Sequence, residues 1–237
     1  MNHETQKIQP GEGALQVRWL GRQGYLEAWE LQRELAACRL AAAIPDTLLL
    51  LEHPPTITLG RAARREHLLT DAAELARQGF AVVETDRGGD VTYHGPGQLV
   101  GYPILSLRDA PHTPDLHAYL RRLEACLIAA LANFGVTADR FPGYTGVWVG
   151  RDTPCPEKIA AIGVKASRWI TQHGFALNIT PDLAHFEHIV PCGIHDYGVT
   201  SLARVLGRPV SIEEALPIMA AAFIAEFGSA QHGGKTV

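Results

Sequence analysis

Three stretches of this sequence gather side chains able to do chemistry. The densest is Arg87-Gly-Gly-Asp-Val-Thr-Tyr-His-Gly-Pro-Gly-Gln98. Its glycines let backbone amides approach a ligand closely, while Arg87, Tyr93 and His94 supply donors or a ring surface. A purely structural account reads the same run as a hairpin turning at Gly95-Pro96-Gly97. The second stretch is Lys158-Ile-Ala-Ala-Ile-Gly-Val-Lys-Ala-Ser-Arg-Trp169, followed by Gln172-His-Gly-Phe-Ala-Leu-Asn178. Alternation marks strands here, and the small residues Ala161, Gly163, Gly174 and Ala176 leave room for a substrate against bare backbone. A lysine at a strand's start, as Lys158 is, is ordinarily solvated. The third stretch is Pro191-Cys192-Gly193-Ile194, a cysteine in a turn-prone segment.

The other cysteines compete with Cys192 for thiol chemistry. Cys38 and Cys126 sit in apolar helical stripes and read as small buried hydrophobes. Cys155, between Pro154 and Pro156, reads as a loop residue whose nearness to Lys158 keeps it second in line. No C-x-x-C pair occurs, so neither a zinc site nor a disulfide framework is expected. His173, His185, His188 and His195 lack a ligand spacing with a cysteine or carboxylate partner, so no metal is expected either. His185 and His188 read as solvated.

The elements that must position these residues follow from hydrophobic period. Strands are expected at 15–20, at the apolar run Leu48–Leu51, at Thr56–Leu59 and at Phe80–Glu84. Further β segments are expected at Gly146–Val149, Lys158–Ile170 and Gln172–Ile179, the last two forming a hairpin. A helix carries Tyr25, Ala28, Trp29, Leu31, Leu35 and Cys38 and is closed by Pro45; a short one spans Asp71–Gln78. Another follows Pro114, with Leu116, Tyr119, Leu120, Leu123, Leu127 and Leu131 on one side, and ends near Gly135. The last starts at Ser211, with Glu213 and Glu214 in its first turn, and runs to about Phe227. Strands mixed with segregated helices predict an α+β fold rather than a βαβ repeat.

With 237 residues, 46% of them hydrophobic, the chain is long enough for one large domain, expected over 14–228, with flexible tails at 1–13 and 229–237. A net charge of -4 gives no general reason to bind nucleic acid or an anionic membrane. No apolar run is long enough to span a membrane, and the polar first residues lack a signal-peptide core, which predicts a cytoplasmic protein. No Rossmann fingerprint or phosphate-loop lysine motif occurs.

In order, the motifs RGGDVTYHGPGQLVGYPI, KIAAIGVKASRW, QHGFALN and PCGI resemble those of the lipoyl(octanoyl) transferase family over about residues 15 to 227. That resemblance implies a single α+β domain of the biotin/lipoate protein ligase catalytic type, a mixed β-sheet flanked by helices. It implies octanoyl transfer, in lipoate biosynthesis, from octanoyl-acyl carrier protein to a lysine on apo lipoyl domains of 2-oxo acid dehydrogenases and of the glycine cleavage H protein. By position, Cys192 corresponds to the acyl-accepting cysteine and Lys158 to the lysine that lowers its pKa. Arg87, Gly88, Gly89, Asp90, Val91, Thr92, Tyr93 and His94 correspond to substrate-binding residues. So do Ala161, Ile162 and Gly163, and Gly174, Phe175 and Ala176. No cofactor, ATP or metal is implied; the donor brings its own phosphopantetheine, and the protein is expected to act as a monomer. The family pattern is interrupted by a proline-rich insert, Asp152 to Glu157, before Lys158. Two other functions fit the residues: an ATP-dependent ligase, marked by an adenylate pocket and a dispensable Cys192, and an acyl-protein binding module, marked by binding without turnover. Arg61, Arg64 and Arg65 are placed to meet an acidic carrier.

Overall fold

The run Leu48-Leu-Leu-Leu51 shows how the layers are built. All four leucines are buried, yet they divide by the period of a strand: Leu48 and Leu50 enter one apolar core, Leu49 and Leu51 another. An unbroken apolar run is what a strand covered on both faces requires. The computed structural model describes residues 6–8, 15–109, 112–193 and 197–228, with backbone alone for residues 6–8 and Cys192.

Along the chain come β1 (Gln6–Ile8), β2 (Gln16–Arg22), α1 (Tyr25–Leu40), β3 (Thr47–Glu52), β4 (Thr56–Leu59), α2 (Ala72–Arg77), β5 (Ala81–Glu84), β6 (Val91–His94) and β7 (Gln98–Ile104). Then follow α3 (Leu116–Ala132), β8 (Ala138–Phe141), β9 (Tyr144–Val149), β10 (Glu157–Ser167), β11 (Ile170–Asn178), β12 (Gly198–Val199), α4 (Leu202–Leu206) and α5 (Ile212–Phe227). Short 3-10 turns occupy Arg65–His67, Leu183–His188 and Pro191–Gly193. The large sheet has nine strands in the order β1-β2-β3-β7-β11-β10-β9-β8, with β12 added on β10; a second sheet is β5-β4-β6. The side of the large sheet holding Leu48 and Leu50 carries the main core with α3 and α5, the other side carries α1, and the small sheet has its own core around Ile57, Tyr93 and Phe186. The expected α+β domain with a mixed sheet flanked by helices is found, and no helix among the described residues is long and apolar enough to cross a membrane.

Capping follows the local chemistry: Asp115 accepts from the His117 and Ala118 amides at the start of α3, and Ser211 accepts from Glu214 N at the start of α5. The hairpin β10–β11 forms around a two-residue turn, Arg168-Trp169, with φ of 52° and 67°. Such turns favour Asn-Gly, so the turn carried no sequence signal.

Three expectations are corrected. Helix α1 ends at Leu40, where Ala42 turns the chain with φ 55°, so Pro45 lies beyond the helix and does not close it. Cys38 is exposed, because it faces away from the stripe of Tyr25, Ala28 and Leu35. The glycine-rich run is not a hairpin: β6 pairs with β4 and β7 with β3 and β11, so Gly95-Pro96-Gly97 carries the chain from one sheet to the other. Strands β8 and β12 and helix α4 are too short to show a period. The expected tails fall mostly outside the described residues, but within them Gln6–Ile8 pairs antiparallel with Val17–Trp19.

One buried charge ties helix to sheet. Glu124 on α3 is fully buried; its Oε2 accepts from Arg121 Nη1 at 2.7 Å and Arg140 Nε at 2.9 Å, and its Oε1 from Gly146 N at 3.2 Å. The arginines are half-exposed and can rehydrate, whereas the Gly146 amide cannot. Glu124→Ala should therefore cost about 2 kcal/mol. An unchanged urea midpoint would show that the buried carboxylate contributes nothing.

Candidate functional site

The two sheets meet over the glycine-rich loop, and a cavity opens at the junction. Alternation along β6 decides which of its residues face it: Thr92 and His94 line the cavity, whereas Val91 and Tyr93 point into the core of the small sheet. The hairpin β10–β11 supplies a floor of small side chains, with Ala161 paired to Ala176 and Gly163 to Gly174, plus Ile162 and Phe175 between them. Arg87, Gly89 and Asp90 complete the near wall. Gly88 does not line the cavity; its amide donates to Val164 O at 2.9 Å and fastens the loop to β10. The free space inside it is about 40 Å³, a narrow cleft between the two sheets.

Glycine is required at the fastening. A Cβ on Gly163 would lie 2.8 Å from Gly88 O and 3.3 Å from Arg87 Cδ, and one on Gly60 would collide with Gly89 O. The loop is thus clamped between β10 and the end of β4. Arg87 is buried and spends its donors on the same task. Nε and Nη2 reach Thr58 Oγ1 at 3.1 and 3.0 Å, Nη2 also reaches Thr58 O at 2.8 Å and Asp90 O at 2.6 Å, and Nη1 reaches Gly88 O at 3.1 Å.

Three lining residues fell outside the sequence expectation: Tyr25, Tyr102 and His173. Tyr102 shares its face of β7 with Val100, a parity the sequence does show once β7 is known. His173 breaks the alternation, since its φ of 56° turns the ring toward Asp86 and Trp29 on the cavity side. Buried Gln32 on α1 accepts the His173 amide at 2.7 Å and holds that kink.

The imidazoles around the cavity are kept neutral. His53 Nδ1 faces Gln23 O at 2.8 Å, so it carries the proton, and Nε2 accepts from the Tyr102 hydroxyl at 2.7 Å; burial lowers the His53 pKa to about 4. Burial, then the neighbouring His53 and Arg87, push His94 well below the usual histidine range, and its Nδ1 lies 2.8 Å from Gln98 Oε1. His173 is also lowered, burial outweighing its 2.7 Å contact with the Asp86 carboxylate. His185 and His188, expected to be solvated, are half-buried: His185 Nδ1 bonds the Tyr93 hydroxyl at 2.7 Å, His188 Nδ1 bonds Thr70 Oγ1 at 2.9 Å, and both rings pack on Phe80.

Lys158 is buried rather than solvated, because β12 covers the start of β10 and Thr200 N donates to Lys158 O at 3.0 Å. Its Nζ lies 4.9 Å from the centroid of the Trp148 ring, and among the described residues no carboxylate pairs with it. The proline-rich insert runs through the connection between β9 and β10 to the first residue of β10, exposed over 152–155 and buried at Pro156, and leaves Lys158 paired with Trp148. Lys158 and Pro191 line one small cavity that shares Thr92, Ala161 and Ala176 with the larger one. The side chain of Cys192 lies outside the described residues, but its backbone belongs to the Pro191–Gly193 turn at this shared mouth. His195 also lies outside them. Cys155 is exposed and Cys126 buried. Arg61, Arg64 and Arg65 are exposed on the segment leading to His67. No cluster suited to a metal ion occurs among the described residues.

Comparison with known proteins agrees with this fold. The family model described as the lipoyl protein ligase A/B catalytic domain matches residues 24–224. An octanoyltransferase of Chloroflexus aggregans is 53% identical over 214 residues, covering 90% of this chain and 95% of its own. An octanoyltransferase of Rubrobacter xylanophilus is 54% identical over 209 residues, covering 87% and 90%. Among solved structures, a bipartite lipoate protein ligase of Thermoplasma acidophilum superposes with a TM-score of 0.68 at 17% identity, covering 91% of this chain and 83% of that one, a likeness of fold.

The neutral imidazoles have a consequence for stability. A histidine whose folded pKa is depressed is neutral in the native state, while the unfolded chain takes up a proton below about pH 6.5. The stability contributed is complete above that value and is lost as pH falls toward the folded pKa. For His53, lowered to about 4, the loss between pH 6.5 and 4 is about 3 kcal/mol. In urea titrations across that window, His53→Gln should show a shallower fall in stability than the unaltered protein. Equal slopes would mean that His53 is protonated in the native state.

Proposed function

We propose, from the premise that this chain belongs to the lipoyl protein ligase A/B catalytic domain family and is an acyltransferase, that it moves an octanoyl group through a thioester on Cys192. The proposed donor is octanoyl-acyl carrier protein, and the proposed acceptor is a lysine on apo lipoyl domains of 2-oxo acid dehydrogenases and the glycine cleavage H protein. We place the reaction in lipoate biosynthesis and in the cytoplasm, carried out by a monomer. The observation that supports this reading best is the shared mouth. Lys158 and the Pro191–Gly193 turn border one recess, and that recess opens into a cavity floored by Ala161, Gly163, Gly174 and Ala176. The rise along β10 from Lys158 to Gly163 is about 16 Å at about 3.3 Å per residue, which gives an acyl chain a bare strip of sheet to lie on.

In the first step the Cys192 thiolate attacks the thioester carbonyl, the bond to the phosphopantetheine sulfur breaks, and the proton first held by Cys192 ends on the released thiol. Exchange of one thioester for another preserves the activated bond, so no nucleotide enters. In the second step the lysine amine attacks the Cys192 thioester, the amide forms, the carbon–sulfur bond breaks, and the amine proton passes through Lys158 to the sulfur. A lysine with no carboxylate partner among the described residues suits the first task, because a nearby positive charge favours the thiolate. Burial keeps the imidazoles of His53 and His94 beside the acyl strip uncharged, so they add no charge to that of Arg87. Arg61, Arg64 and Arg65 are the proposed contacts for the acidic carrier.

Single-turnover kinetics on Lys158 variants test this division of labour. Lys158→Met should raise the thiol pKa and slow acyl-enzyme formation most at low pH. Lys158→Arg keeps the charge but hardly deprotonates, so acylation should partly survive while transfer to the lipoyl lysine fails. A Met variant that alkylates with an unaltered pKa and acylates at the normal rate would leave Lys158 a structural role, with His94 and His173 as the next bases to examine.

A further inference from the structure

Lys158 belongs to the large sheet, whereas the turn proposed to carry the thiol is held by the small one, so their meeting depends on how that turn is seated. Its seat is a buried pair beside the acyl cavity. Asp90 Oδ1 accepts from Val91 N at 2.7 Å and from Arg64 N at 3.2 Å, which fits a carboxylate. Asp90 Oδ2 lies 2.5 Å from His67 Nδ1, which then donates. Both side chains are nearly enclosed, 10% exposed for His67 and 12% for Asp90. The strand-like segment before Cys192 is tied to the same place: Val190 N donates to His67 O at 2.8 Å, and Leu68 bridges Ile189. Gly193 N then donates to Val190 O at 3.0 Å and closes the turn. Gly193 itself, with φ 67°, presses on the pair: a Cβ there would lie 2.8 Å from both Asp90 Oδ2 and His67 Cε1.

We propose that His67 and Asp90 are positioning residues for the acyl-transfer step, setting the height and direction of the Pro191–Gly193 turn so that Cys192 meets Lys158 at the mouth of the acyl cavity. The inference rests on the reading of Cys192 as the acyl acceptor. Neither residue exchanges a proton with substrate. Asp90 acts through its fixed carboxylate, which joins the cavity wall to the turn, and His67 acts through one donor aimed at that carboxylate and one backbone acceptor aimed at Val190. A side chain that loses the donor lets the turn shift, and a misplacement of about 1 Å costs a reaction on the order of a hundredfold.

The test compares His67→Leu with His67→Asn, whose amide nitrogen can take the place of Nδ1. Three quantities are read: single-turnover acylation of Cys192 from octanoyl-acyl carrier protein, alkylation of the Cys192 peptide by iodoacetamide, and the thermal midpoint. His67→Leu should acylate on the order of a hundredfold more slowly, while alkylation by the small reagent and the midpoint stay close to those of the unaltered protein. His67→Asn should recover most of the acylation rate. The proposal is overturned if His67→Leu acylates normally, or if acylation, alkylation and midpoint fall together and Asn restores none of them. Unaltered protein that forms no thioester would overturn the thioester reading and this inference with it, a result distinct from a fast His67→Leu.

Discussion

The joint between the two sheets, where the candidate site lies, depends on the buried Arg87 guanidinium. It hydrogen-bonds Thr58 at the end of β4 and the carbonyls of Gly88 and Asp90, while the Gly88 amide reaches across to Val164 on β10. One side chain therefore stitches the small sheet to the large one through a loop that has no ladder of its own. Buried charged donors are tolerated where their hydrogen bonds are met, and here oxygen acceptors meet them. The glycines at 60 and 163 are the counterpart of this stitch, since any side chain there would push the loop off its bonds.

From that joint follows a separation of electrostatic environments. Around the cavity, burial suppresses the charge of His53, His94 and His173. At the far end, a lysine is buried against Trp148 without a carboxylate partner among the described residues. The two zones are connected by polar side chains: Gln98 Nε2 donates to Asn178 Oδ1 at 2.9 Å, Asn178 Nδ2 donates to Thr200 O at 2.9 Å, and Thr200 N returns to Lys158 O. An apolar trough whose histidines are uncharged, with the Arg87 guanidinium held in hydrogen bonds and a buried lysine at the mouth, is the arrangement that the acyl-transfer proposal needs.

The periods of α3 and α5 were legible because each helix buries one face, and β4 and the β10–β11 pair were legible as β-rich runs set between turn residues. Most of the cavity wall was legible as well, through glycines and small residues that have little use in packing. Strand parity explains the exceptions: Val91 and Tyr93 sit in the glycine-rich motif but belong to the other core. Tyr25 and Tyr102 come from elements distant in sequence, and His173 owes its direction to a left-handed kink that no local pattern announces. The burial of Lys158 was hidden too, because it depends on β12, a strand too short to show alternation. The His67–Asp90 pair joins residues whose contact arises only when the small sheet closes.

The proposed acylation of Cys192 at the mouth of this trough can be observed by mass spectrometry of the protein mixed with octanoyl-acyl carrier protein in ATP-free buffer. The expected result is a hydroxylamine-sensitive octanoyl adduct on the Cys192 peptide that disappears as an apo lipoyl domain becomes octanoylated on lysine. An adduct on Cys155, no adduct on any cysteine, or octanoylation that requires ATP and free octanoate would contradict it.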